Sequence, residues 1–163
     1  MSGWDAYINT ITGASPAIKR AAIVDGTSGA VWARTQEANT FSATEAELKK
    51  FVSLFDNLSD VPAQGADLED VHYIVPRTEE NLIFGKKDKS GFFAAKTKSA
   101  VLIAVYEGEN QVSAEVRASV EKLAKSALMV NIPSSVMRVV FRIPLASIVR
   151  IHSVFELIIL ILE

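Results

Sequence analysis

A chain of 163 residues, 49% apolar and 22% charged, is long enough for one domain with a real core. A formal net charge of −2 disfavours general nucleic-acid binding, and the absence of cysteine excludes disulfides and Cys-based zinc sites and fits a reducing cytosol. The opening MSGWDAYINT has neither the basic start nor the apolar run of a secretion signal.

The spacing predicts a first helix over about residues 3–11 with Ser2 as N-cap, since Trp4, Tyr7, Ile8 and Ile11 make one stripe at i, i+3, i+4, i+7. Gly13, Ser15 and Pro16 end it. A hairpin follows, with strands at 21–24 and 30–33 around the turn Asp25-Gly26-Thr27-Ser28-Gly29. A second helix is predicted over 44–55. Thr44 and Glu47 fit a capping box, and Leu48, Phe51, Val52 and Phe55 give the apolar face. Residues 59–70, rich in Asp, Pro and Gly, read as a loop.

Residues 71–97 read as three short strands. Val71, Tyr73 and Val75 share one face, Leu82 and Phe84 alternate, and Lys87-Asp88-Lys89-Ser90-Gly91 carries hairpin chemistry. The run AVLIAVY at 100–106 is apolar on both faces, which predicts a central strand covered by helices above and below. A third helix starts near Ser113. Val116, Val120, Leu123 and Ala124 are its buried stripe, Arg117, Glu121 and Lys125 face away, and Lys122 lies on a flank. The order is helix, two strands, helix, four strands, helix, without internal repeats. The class is α+β: a central antiparallel sheet with helices on both faces.

Charge is uneven along the chain. Residues 1–80 hold 6 Lys/Arg against 12 Asp/Glu, whereas residues 81–98 hold Lys86, Lys87, Lys89, Lys96 and Lys98 against Asp88 alone. The pattern places a basic ridge on one sheet. Lysines of this kind either bind an acidic partner surface or are solvated strand edges that block aggregation. Catalysis finds little support. His72 and His152 are the only histidines, His72 reads as a surface or hydrogen-bonded strand residue, and no metal-ligand cluster, nucleophile constellation or phosphate loop appears. The expectation is a protein that is not an enzyme and has no metal and no cofactor.

From Ser126 the pattern changes. The tail includes VMRVVFRIPLASIVRIHSVFELIILILE, in which neither helical nor strand period is clear. A spanning helix over 145–162 would hold Arg150, His152 and Glu156 in hydrocarbon, and each central charge costs about 2.5–3.5 kcal/mol, so no transmembrane span is expected. The predicted organisation is a domain over 1–125 and an atypical hydrophobic tail over 126–163.

The segments SGWDAYI, AAIVDGTSGAVWA, VHYIVPR, IFGKK, GFFAAKT and VEKLA occur in the order and spacing of the profilin family, which the first 125 residues resemble. The resemblance implies a small α+β protein of the cytoplasm and cytoskeleton. Its partners would be monomeric actin, proline-rich segments and phosphoinositide headgroups. It assigns proline-rich binding to Trp4, Tyr7 and Trp32, although Trp4 and Tyr7 also read as ordinary core on an amphipathic helix. A polyproline II ligand is already extended, its rings pack on aromatic faces, and its carbonyls accept from indole N–H or phenol groups.

For actin the resemblance points to Arg77, Lys86, Lys87, Lys96 and Lys122, and for phosphoinositides, ranked second, to Lys86, Lys87 and Lys89. The chain departs from the family after Lys125. The aromatic expected in the last helical turn is Ser126, and the expected terminal aromatic is about Ile132, so the C-terminal wall of the family's proline-rich pocket is missing or rebuilt. The rival reading is a small-molecule sensor domain with an internal pocket. It requires space inside the fold, which Phe92, Phe93, Leu102 and Ile103 are bulky enough to fill.

Overall fold

The computed structural model describes residues 3–108 and 110–125; the expected Ser2 cap and the expected tail over 126–163 lie outside these. The N-terminal helix α1 spans Asp5–Ala14, with Trp4 at the N-cap position and no side-chain cap. It begins where the Trp4 carbonyl accepts from Tyr7 N–H at 3.0 Å, and the carboxylate of Asp5 stands in the first turn, on the positive end of the helix dipole. It runs through Gly13, beyond the predicted end, and stops at extended Ser15 because a residue before proline is steered out of the helical region.

Strands β1 (Ile18–Asp25) and β2 (Val31–Arg34) form the predicted hairpin. Helix α2 (Glu45–Ser53) is capped by the Thr44 side chain, which accepts from Glu47 N–H at 3.2 Å. The Glu47 carboxylate accepts instead from Asp70 N–H at 2.9 Å, joining α2 to a neighbouring turn.

That turn corrects the expected loop over 59–70. The segment holds a helical turn, α3 (Val61–Gln64), and a strand, β3 (Ala66–Leu68), paired with β4 (Val71–Tyr73). Two adjacent residues with positive φ, Glu69 (56°) and Asp70 (59°), close the hairpin. This conformation is unfavourable for ordinary residues and persists because the ends are tied. The Glu69 carboxylate is 2.9 Å from Arg20 of β1 and accepts from Ser42 N–H at 2.9 Å.

The remaining strands are β5 (Thr78–Glu79), β6 (Leu82–Lys87), β7 (Ser90–Lys96) and β8 (Ala100–Glu107). Helix α4 spans Asn110–Lys125, three residues earlier than predicted. Six strands make one antiparallel sheet in the order β2-β1-β8-β7-β6-β5. The doubly apolar run is β8, buried from Ala100 to Tyr106 and covered on both sides. On one face Ala22, Val24, Phe92 and Ile103 pack with Phe41, α2 and the β3–β4 hairpin. On the other Ile23, Phe93, Leu102 and Tyr106 pack under α1 and α4. Phe92, Phe93, Leu102 and Ile103 therefore fill the two faces where the sensor reading needs space.

Candidate functional site

Trp4, Tyr7 and Trp32 come together. Trp4 and Tyr7 lie one helical turn apart with ring centroids 5.5 Å apart, and the Trp4 and Trp32 rings are 5.0 Å apart at 36°. Trp32 follows Val31 onto the opposite face of the sheet, beside a backbone irregularity. The β1–β2 register shifts between Ile23 and Val24, so that Val31 packs on the α2 side whereas both Trp32 and Ala33 pack on the α1 side. The bulge brings Ala33 to the face that alternation from Val31 already gives Trp32.

Tyr7 is buried and its phenol is pushed well above its ordinary range by that burial, so it stays protonated and able to donate. Both tryptophans are only half-buried, which leaves aromatic face for a ligand. Leu123 and Ala124 at the end of α4 pack against the core of the same sheet face. Ser126 and Ile132, where the family's missing aromatics fall, lie outside the described residues.

The basic ridge is not one ridge. In the β6–β7 hairpin Lys86 pairs with Gly91 and Lys87 with Ser90, whereas Lys96 stands at the far end of β7 opposite Val101 of β8. Lys86 and Lys96 are therefore separated by five positions of strand, about 16 Å. They also point to opposite faces. Lys86 alternates with Phe84, on the α4 side. Lys96 follows Phe92 and Ala94 on the α2 side, where its ammonium lies 5.7 Å from the Phe55 ring centroid and 3.8 Å from Asp56. Lys87 falls on the α2 side by the same alternation, at the exposed hairpin end that carries Lys89. Arg77 lies over the Phe84 ring at 5.9 Å, on the α4 side with Lys86, and Lys122 is exposed on α4.

Sequence reasoning missed two features of this face. Arg117 and Glu121 do not face away. The Arg117 guanidinium donates to Glu79 of β5 at 2.5 Å and to Glu121 at 3.4 Å, and Arg77 lies 3.4 Å from the same Glu79. Arg117 first, and Arg77 after it, holds the Glu79 carboxyl below its ordinary range. The second feature is Ile74, 69% exposed between buried Tyr73 and Val75 and bridged to Lys86. The signal was available, because placing Tyr73 and Val75 inward points Ile74 outward. His72 is exposed and hydrogen-bonded, with Nδ1 2.7 Å from Asp67. Among the described residues no cluster of metal-ligating side chains forms, and no helix is long and apolar enough to cross a membrane.

A sheet clothed on both faces, with an aromatic cluster at one place and a cationic surface at another, has the build of a binding module. The sequence profile of the profilin family matches residues 2–130. Profilin-1 of Caenorhabditis elegans is 65% identical over 123 residues, which cover 76% of this chain and 93% of that protein. Profilin IA of Acanthamoeba castellanii is similar in structure with a TM-score of 0.65 and 33% identity, covering 74% of this chain and 93% of that one. Mouse profilin IIa, solved in complex with a double repeat from the FH1 domain of mDia1, has a TM-score of 0.56 and covers 77% of this chain and 99% of its own. At 17% identity its likeness is one of fold. The chain belongs to the profilin family. Its function is accordingly that of an actin-binding regulator of the cytoskeleton.

Proposed function

We propose that two separate surfaces carry this function. The first is the Trp4–Tyr7–Trp32 cluster, which docks the rings of a proline-rich segment. The observation that carries it is the meeting of three aromatic side chains from α1 and β2, two of them half-exposed. The test is titration of the full chain with oligoproline, which should quench tryptophan fluorescence in the unaltered protein and not in Trp4→Ala.

The second surface binds monomeric actin. Of the residues inferred from sequence, Arg77, Lys86 and Lys122 suit the α4 side, with Ile74 as an apolar centre beside Lys86. Lys87 belongs to the exposed hairpin end, and Lys96 is the weakest member because its ammonium is occupied on the opposite face. Cations on such a surface steer encounter with an acidic partner and fix orientation. A phosphoinositide headgroup is the second reading, supported by the sequence neighbours Lys86, Lys87 and Lys89 at one hairpin end; each is worth about 1 kcal/mol near an anionic surface. Binding of vesicles with and without a phosphoinositide tests it.

This reading makes the chain a cytoplasmic binding protein rather than an enzyme. We also infer that residues 126–163 are an apolar extension to a domain over 1–125. The extension lacks the family's terminal aromatics, so proline-rich affinity should lie at least about tenfold below that of a profilin that retains them. It should also promote self-association or membrane binding. Sedimentation and oligoproline titration, compared with a version carrying an ordinary profilin terminus, test both. Equal affinity and equal monodispersity would contradict the inference.

A further inference from the structure

The turn that joins β1 to β2 holds a chemically labile pair. Asp25-Gly26 is the one place in the chain where an Asp or Asn precedes Gly. In such a pair no side chain on the second residue shields its amide nitrogen, which can attack the carboxyl carbon of the first. A bond forms from Gly26 N to Asp25 Cγ, a Cγ–O bond breaks, and the oxygen leaves as water. Water then opens the ring at the original Asp25 carbonyl carbon. The reaction consumes only the water it releases. Its product, isoaspartate, has the same mass, but its backbone runs through Cβ and Cγ and is one methylene longer.

The fold holds both reacting groups away from this path. Oδ1 of Asp25 accepts from Thr27 N–H at 3.0 Å, from Ser28 N–H at 2.7 Å and from the Ser28 hydroxyl at 2.9 Å. These bonds, that from Ser28 N–H foremost, keep the carboxyl below its ordinary range, and an ionised carboxylate is a poor electrophile. Gly26 N–H donates to the Ser99 carbonyl at 2.9 Å, which commits the nucleophile to the turn between β7 and β8. The far end of the turn is clamped as well. Gly29 has a φ of 75°, and a Cβ added there would lie 2.6 Å from Lys49 N of α2. Asp25 N–H donates to the Ala30 carbonyl at 2.8 Å and Val24 pairs with Val31, so the strand that carries Trp32 starts directly at the turn.

We propose that Asp25-Gly26 is a covalent modification site: the closed turn preserves it as aspartate, and isoaspartate formed there displaces Trp32 from the aromatic cluster. The added methylene lengthens a turn fitted between Ser99 and α2. The relocated carboxylate also leaves the N–H groups of Thr27 and Ser28 without the acceptor that shapes the turn. The displacement passes through Val31 to Trp32, whose ring packs on Trp4 at 5.0 Å. Its effect on ligand binding rests on the aromatic cluster being the proline-rich site, whereas the modification itself does not.

Trypsin releases residues 21–34 as one peptide in which Asp25 is the only Asp or Asn, so isoaspartate is read there as a change in retention at constant mass. The test ages the full chain and the free synthetic peptide 21–34 side by side at neutral pH. The folded chain should isomerise at least about tenfold more slowly, because the turn must open first. Gly29→Ala, which forces a Cβ against α2, should speed the reaction in a chain that circular dichroism shows to be folded. The unaltered chain in urea below its unfolding transition should do the same, and this arm needs no variant. Chain isomerised in denaturant and then refolded should lose oligoproline-binding capacity in proportion to its isoaspartyl fraction. Its tryptophan emission should also shift to the red, relative to fresh chain refolded in the same way. Equal rates in chain and peptide would overturn the protection. Full capacity and unchanged emission in a largely isomerised sample would overturn the link to Trp32. If fresh chain does not bind oligoproline, the aromatic-site reading fails, and the emission shift alone decides whether Trp32 is displaced.

Discussion

The aromatic cluster and the cationic face of this domain hold their side chains in opposite ways. In the cluster the side chains touch one another: Trp4 packs on Tyr7 and on Trp32 at 5.5 and 5.0 Å, so each ring fixes its neighbour. On the cationic face the charges keep apart and are organised by carboxylates, with Glu79 between Arg77 and Arg117, and by an aromatic ring, with Arg77 over Phe84. A contiguous apolar site is pre-organised by its own packing. A site of like charges needs opposite charges set among them, which lowers its net field and makes it sensitive to salt and pH.

The largest expected effect falls on the contiguous site. Trp4→Ala removes the ring that joins the other two, and aromatic anchors at interfaces carry about 2 kcal/mol or more, so oligoproline affinity should drop at least about thirtyfold. Actin binding on the other surface should persist. Equal loss of both activities in a folded Trp4→Ala protein would mean that the two regions are one site.

Next comes a change in the sheet between them. At Gly85 of β6 an added Cβ would collide with the Phe92 ring and lie 2.8 Å from Tyr73 Cβ. Both neighbours are buried on the α2 side, where overpacking costs about 1–3 kcal/mol, so Gly85→Ala should lower the melting temperature by several degrees. The strand displacement bears on the Ile74–Lys86 bridge next door, whereas α1 is remote. Actin affinity should therefore suffer more than oligoproline affinity, and the opposite order would break the separation argued here.

These two regions also differ in how far the sequence disclosed them. Helical spacing put Trp4 and Tyr7 on one stripe, and the apolar run of β8 announced a strand covered twice; both follow from local periods that tertiary structure rarely overrides. The lysines of residues 86–98 looked like one ridge because they are close in sequence. A hairpin folds that stretch back on itself and pleating alternates its side chains, so nearness along the chain became separation in space. The pairing of Arg117 with Glu79, 38 residues apart, left no local trace. Nor did β3, in a segment whose Asp, Pro and Gly content suggested a loop. Its hairpin is held by contacts from Arg20, Ser42 and Glu47 that lie far away in sequence. Alternation from Val31 already turns Trp32 towards α1, whereas the bulge that brings Ala33 to the same face is a property of the β1–β2 register and left no local trace.

Splitting the lysines gives a sharper test of the cationic face. Lys86→Glu should weaken actin binding about threefold to tenfold, mainly through a slower and less salt-dependent association. Lys96→Glu should change it little, because its ammonium sits over Phe55 near Asp56 on the other face. Stopped-flow association at two salt concentrations reads the difference. Equal effects of the two reversals would restore the single ridge that the hairpin register argues against.

The smallest effect concerns the carboxylate that organises this face. Hydrogen bonding to Arg117, then the charges of Arg117 and Arg77, lowers the pKa of Glu79 below that of an ordinary glutamate. The folded value is therefore below the unfolded one. The linked stabilisation is fully present above the ordinary carboxylate range and is lost as pH falls through the depressed value. Because Glu79 is solvent-accessible, the consequence for stability is slight and the titration itself is the better observable. The side-chain carboxyl resonance of Glu79 should titrate below those of unpaired glutamates, and Arg117→Met should return it towards them while Arg77→Met moves it less. If Arg77→Met produced the larger return, Arg77 rather than Arg117 would be the residue that fixes the carboxylate. The ion pair would then belong to the β4–β5 connection instead of tying α4 to the sheet edge.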